Sequence, residues 1–237
     1  MSTNRSDSDV LASGKTSFKI EVPYQLIETG KKGEKKPLIL YLHGFGENIK
    51  LFQKRCSRFM DLNAYHLFIQ GPYPLYDHSR NKTVSNWGRS WYLYDGKRKQ
   101  FTKSLELTSE FIQGIIDNLI QFINVSKICV VGYSMGGYQA SHFALTRWKH
   151  VNDLVVVGGR IKTEILNESI WDNLKHMDIL AIHGKNDDKV EYKGQEEAIN
   201  SLKKRGIKSE LLLLDEKHDF SEKIIDEIIK WFQLKEY

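Results

Sequence analysis

The chain has 237 residues, 41% apolar, 27% charged and 11% aromatic, and its 35 Lys and Arg against 30 Asp and Glu leave a formal charge of +5. That balance excludes a disordered polar chain, and no apolar run approaches the ~18 residues that cross a bilayer, which excludes a transmembrane enzyme. The basic residues are spread without a nucleic-acid motif, so no nucleic-acid partner is expected, and two scattered cysteines, Cys56 and Cys129, make neither a disulfide framework nor a thiol-based zinc site.

Residues 1–17 are polar and lack the apolar core of a secretory signal, so they read as a loose tail ahead of a single domain over 18–237, and the expected location is cytoplasmic. Ser17 to Ile27 reads as strand or hairpin, Lys31 to Lys36 as a solvated loop, and Pro37 to His43 as a buried strand. Glu47 to Leu62 places Ile49, Phe52, Cys56, Phe59 and Met60 on one helical face, and Ala64 to Gln70 is the next strand. Gly71 to Lys103 shows neither period. Its two prolines and its aromatics, Trp87, Trp91 and Tyr92 among them, read as a binding loop, with seven Lys and Arg against Asp77 and Asp95.

Ser104 to Ile123 repeats paired apolar positions every four residues, as a helix does, and Lys127 to Tyr133 reads as strand, with Cys129 a small core residue inside it. A helix after Ser134, a strand over Val151 to Val157, a short helix near Ile170 and a strand over Asp178 to His183 continue the rhythm. A helix over Glu191 to Arg205, a strand over Lys208 to Leu214 and a helix over Ser221 to Phe232 complete it. Strands alternating with helices imply an α/β fold, a mostly parallel central sheet covered by helices on both faces.

Gly132-Tyr-Ser-Met-Gly136 fits G-x-S-x-G where a predicted strand passes into a predicted helix. A serine hydroxyl is a weak nucleophile unless a tight turn exposes it beside a base, and such a turn has no room for side chains at its glycines. The next two strands that end near chemistry-bearing groups carry Asp187, 53 residues after Ser134, and His218, 31 residues further on. Strand carboxyl ends share one edge of a doubly wound sheet, so Ser134, Asp187 and His218 can converge as nucleophile, orienting acid and base, in the chain order of α/β-hydrolases. Asp188 is the nearest competitor for the acid. Two N–H groups are needed for a developing oxyanion, and Met135 and Phe45, the latter in the turn His43-Gly-Phe-Gly46, are placed to supply them. No His-Glu-x-x-His or comparable cluster is present, so neither metal nor cofactor is called for.

With these residues in place, the chain resembles the phospholipase/carboxylesterase family of α/β-hydrolases, which includes acyl-protein thioesterases. Leu42-His-Gly-Phe-Gly46 is similar to that family's oxyanion loop, Gly132 to Gly137 to its nucleophile elbow, His183 to Val190 to its acid segment, and Gly88-Arg-Ser-Trp-Tyr92 to a stretch near its acyl pocket. The resemblance implies a serine esterase or thioesterase acting on a small-molecule acyl substrate, with Trp87, Trp91 and Tyr92 lining the acyl site. The charge of residues 71–103 adds an expected preference for anionic esters. Two alternatives accompany that reading: a peptidase of the prolyl-oligopeptidase type, whose elbows Tyr133 to Tyr138 also resembles, and a hydrolase-fold binding protein with little turnover.

Overall fold

The structure, a computed structural model, describes residues 12–14, 16 and 19–237; the tail expected over 1–17 otherwise lies outside the described residues, as do Ser17 and Phe18 of the first expected strand. The strands are β1 (Tyr24–Glu28), β2 (Lys36–Leu42), β3 (Tyr65–Ile69), β4 (Tyr73–Pro74), β5 (Arg89–Ser90), β6 (Val125–Tyr133), β7 (Asp153–Val157), β8 (Asp178–Gly184) and β9 (Lys208–Leu214). The α-helices are α1 (Ile49–Arg55), α2 (Arg98–Leu119), α3 (Met135–Thr146), α4 (Lys193–Lys204) and α5 (Glu222–Leu234).

Seven strands form one sheet in the order β1-β3-β2-β6-β7-β8-β9, parallel throughout except for β1, which runs antiparallel to β3 at the edge. Both faces of β2 are buried, and its residues divide strictly by parity. Leu38, Leu40 and Leu42 join Ile112 and Ile116 of α2, Phe143 of α3 and Ile199 of α4. Ile39 and Tyr41 join Phe52 of α1 and Ile224, Ile228 and Phe232 of α5. Each such fully buried aliphatic or aromatic side chain stabilises the fold by roughly 1.5–3 kcal/mol, and the even coverage explains why the strands read as continuous apolar runs. Cys56 and Cys129 are both wholly buried in the second layer.

Four expected elements differ, the first being the strand expected over Ser17 to Ile27, which is β1 from Tyr24 with no strand over residues 19–23. The helix expected over Glu47 to Leu62 is α1 followed by a separate 3₁₀ turn, Ser57–Asp61, because the Cys56 N–H closes α1 onto Phe52 and Lys54 carbonyls. The helix near Ile170 is two 3₁₀ segments, Thr163–Ile165 and Glu168–Leu174. Residues 71–103 are not wholly irregular. β4 and β5 pair as a short antiparallel ribbon, Val84–Asn86 forms a 3₁₀ turn, and α2 begins at Arg98 rather than Ser104.

The chain passes from β2 outward to β3 and later re-enters on the other side with β6, so the direction of winding reverses between β2 and β6. Crevices at the carboxyl ends of strands beside such a reversal are where α/β sheets bind ligands. The register pairs Leu42 with Gly132, which sets the turn after β2 beside the turn after β6.

Candidate active site

β6 leads straight into α3 through Ser134, whose backbone stands at φ 51° and ψ −118°. A non-glycine residue at positive φ is costly, and it is held here by the Ser134 N–H bonding to Val157 O at 2.8 Å and by Gly137 and Tyr138 N–H returning to Ser134 O at 2.9 and 3.3 Å. The flanking glycines are steric necessities. A Cβ on Gly136 would stand 2.1 Å from Leu42 O, and one on Gly132 would stand 2.3 Å from Gly136 O.

Two strand ends, those of β8 and β9, bring the other polar groups to this turn. His218 Nε2 lies 2.8 Å from Ser134 Oγ, and its Nδ1 lies 2.7 Å from Asp187 Oδ2. Asp187 Oδ1 accepts the N–H groups of Lys189 and Val190 at 2.9 and 2.8 Å. Burial opposes ionisation of Asp187, yet the Val190, His218 and Lys189 hydrogen bonds outweigh it and hold the carboxyl below its ordinary value. Asp188, by contrast, is exposed and pairs with Lys189. The structure thus joins Ser134, His218 and Asp187 in one hydrogen-bonded line.

The sequence alone does not mark His183 as part of the site. It is fully buried, with Nε2 2.8 Å from Val190 O and 3.2 Å from Asp187 Oδ2. Burial lowers its pKa, so it is a neutral donor at Nε2 that braces the Asp187 segment. Its place four residues before Asp187, at the end of β8, was the available signal.

The turn after β2 is held from several sides. Gly44 N–H bonds to Glu47 Oε2 at 2.8 Å, Gly46 N–H to Arg89 O at 3.0 Å, and Arg89 N–H to Glu47 O at 2.9 Å. Among the described residues, Phe45 N–H and Met135 N–H enter no such bond, and Met135 opens α3, where amides lack helical acceptors. His43 accepts the Gly71 N–H on Nε2 at 3.0 Å and donates from Nδ1 to Gly44 O at 2.8 Å; burial lowers its pKa to about 4.

The three aromatic residues expected at the acyl site have different fates. Trp91 is wholly buried, its Nε1 donating to His43 O at 2.7 Å, so it supports the turn from beneath and lines no open space; the expectation is corrected. Trp87 lies half-buried against Tyr76 with Nε1 on Lys82 O at 3.2 Å, away from the cavity beside α3. Tyr92 does face that cavity, a space of about 350 Å³ bounded also by Tyr94, Phe101 and Tyr138. Tyr138 is one turn of α3 beyond Ser134, so one wall of the cavity stands on the helix that follows the strained serine. Of the seven cationic side chains in residues 71–103, Arg98 lines this cavity, while Arg89 is buried and spends its Nη2 on Val84 O.

Among the described residues no group of three or more His, Cys, Asp or Glu is set to hold a metal ion, and no helix is long and apolar enough to cross a membrane.

The family described as Phospholipase/Carboxylesterase matches residues 23–235. The carboxylesterase of Bacillus cereus superimposes with a TM-score of 0.72 at 13% identity, over 90% of this chain and 93% of that one. Acyl-protein thioesterase 2 of Zea mays superimposes at 0.65 and 20% identity, over 90% and 98%. In sequence, dipeptidyl peptidase family member 2 of Caenorhabditis elegans is 24% identical over 220 residues, 81% of this chain and 25% of that protein. The chain spans about a quarter of the length of the curated relatives it matches.

Proposed function

Because the chain belongs to the phospholipase/carboxylesterase family of α/β-hydrolases, we propose that it hydrolyses carboxylic esters or thioesters of small acyl compounds through an acyl-enzyme on Ser134. The observation that carries the reading is the continuous line from Ser134 Oγ through His218 to Asp187, at 2.8 and 2.7 Å.

His218 Nε2 takes the hydroxyl proton as Ser134 Oγ attacks the acyl carbon, and the imidazolium that forms is stabilised by ionised Asp187 on Nδ1. The carbonyl oxygen, now negative, meets the Met135 and Phe45 N–H groups. These donors are already oriented when charge develops, and the loss of one such donor costs ~10²–10³ in rate. Collapse breaks the bond to the alcohol or thiol, which leaves with the proton from His218. Water, deprotonated by the same nitrogen, then releases the acid and restores Ser134. The strained backbone supports this role, because it exposes Oγ at the turn.

The test is hydrolysis of a short-chain p-nitrophenyl ester together with fluorophosphonate labelling. Wild-type protein is expected to turn over and to label at Ser134, and Ser134→Ala to do neither; ester turnover that survives Ser134→Ala overturns the proposal. A peptidase is the second reading, favoured by the curated peptidase relative, and turnover of peptides without turnover of esters would select it.

A further inference from the structure

The cavity beside α3 is lined by groups that share one chemical character. Its walls are rings: Tyr92 and Tyr94 pack edge-on against Phe101 at 4.9 and 5.6 Å, and Tyr92 meets Tyr138 at 6.2 Å. Its polar side chains are three phenols, which can donate, two cations and one carboxylate. The Tyr92 and Tyr138 hydroxyls have no hydrogen-bond partner among the described residues, and burial raises both pKa values, so they stay protonated.

The charges come from two segments remote in sequence. Arg98 opens α2 and donates from Nη2 to the Glu164 main-chain oxygen, and Lys162 and Glu164 line the opposite side. The Glu164 carboxylate is already engaged by Lys162 Nζ at 3.3 Å and Arg160 Nη2 at 3.2 Å. The cavity thus carries two cations, Arg98 and Lys162, against one carboxylate, which Arg160 also engages from outside the lining. Arg98 retains guanidinium donors beyond the one on Glu164 O, and a planar fork of that kind suits a carboxylate. Tyr138 lines the cavity together with Arg98 and Lys162 and stands on α3, the helix that follows Ser134.

We propose that this cavity is a subsite for a second, anionic group of the substrate, so that the favoured substrates are esters or thioesters bearing a carboxylate besides the scissile bond. The inference rests on the ester-hydrolase reading above. The rings cover the carbon chain between the two functions, while Arg98, Lys162 and the tyrosine hydroxyls meet the free carboxylate. An aromatic box alone would suit a quaternary ammonium group; the surplus of cations turns the choice to an anion.

Three matched p-nitrophenyl esters test this, their acid halves ending in a carboxylate, its methyl ester or a trimethylammonium group; a fourth carries the carboxylate on the leaving group instead. The expected result is kcat/KM higher for one of the carboxylate esters than for its neutral counterpart by about tenfold or more, an advantage that shrinks as salt is added. The Arg98→Gln/Lys162→Gln double variant should bring the anionic-to-neutral ratio down toward one, and each single variant should fall between. Equal rates on charged and neutral esters, preference for trimethylammonium, or a carboxylate preference that the double variant keeps would each overturn the subsite. Calorimetry of the carboxylate ester with Ser134→Ala protein gives a readout independent of chemistry. Binding that needs Arg98 and Lys162 without any ester turnover in wild type would sink the hydrolase reading and leave the subsite standing. Turnover of neutral esters with no carboxylate binding would do the reverse.

Discussion

Glu47 accepts the Arg55 Nη1 donor on Oε1 at 2.7 Å while its Oε2 holds Gly44 N–H at 2.8 Å, so one carboxylate links α1 to the turn that carries Phe45. Arg55 continues the link. Its guanidinium lies 5.0 Å over the Tyr133 ring and pairs with Asp219, and the Tyr133 hydroxyl donates to His218 O at 3.3 Å. The two loops that flank Ser134 are therefore tied through one planar cation.

Arg55→Lys should lower kcat for a p-nitrophenyl ester by about tenfold with KM little changed, since an ammonium cannot bridge two carboxylates and stack on a ring together. On the proposed reading Arg55 is a positioning residue. A rise in KM with kcat intact would contradict it.

Asp187→Asn should reduce kcat by about 10⁴, because an amide can hold His218 in the wrong tautomer and cannot stabilise its charged form. Asp188→Asn, altering an exposed side chain outside the hydrogen-bonded line, should remain within about twofold of wild type. Steady-state rates of the two variants side by side decide which carboxylate orients the base.

Gly136→Ala should destabilise the fold by about 3 kcal/mol or more, as its methyl would meet the Leu42 carbonyl of β2, which the sheet holds in place. Gly114 in α2 is the matched control. Nothing lies within 4 Å of a Cβ there, so Gly114→Ala should stabilise by about 1 kcal/mol. Urea unfolding midpoints compare the pair.

Burial lowers the pKa values of both His43 and His66 from 6.5 to about 4. Between those values the unfolded chain binds protons that the folded one refuses, so stability is full above about pH 6.5 and is lost as pH falls toward 4, on the order of 3 kcal/mol for each residue. Melting temperatures taken across that range should drop with acidity, and His66→Gln should flatten the slope. A melting temperature constant from pH 7 to pH 4 would refute the assignment.

The sheet is legible because alternation of apolar runs with helical periods is local information, and Ser134, Asp187 and His218 stand out because each follows a strand end within a short run of residues. Trp91 misleads for a physical reason. A tryptophan in a charged, aperiodic stretch reads as lining, whereas its indole N–H is spent on His43 O beneath the surface. The start of α2 is hidden because its first turn, Arg98-Lys-Gln, presents charges rather than an apolar face. The approach of Arg98 to Glu164 spans 66 residues and leaves no trace in local spacing. The Glu47 and Arg55 link is likewise a matter of side-chain reach between a loop and a helix end.

Ser134 hangs from Val157 on β7, and Gly136 rests on Leu42 of β2, so the bend between them exists only where three neighbouring strands have already come together. On the proposed reading, a chain in which those strands are not yet paired carries an ordinary alcohol at position 134. Labelling by a covalent probe would then report assembly of the sheet's centre.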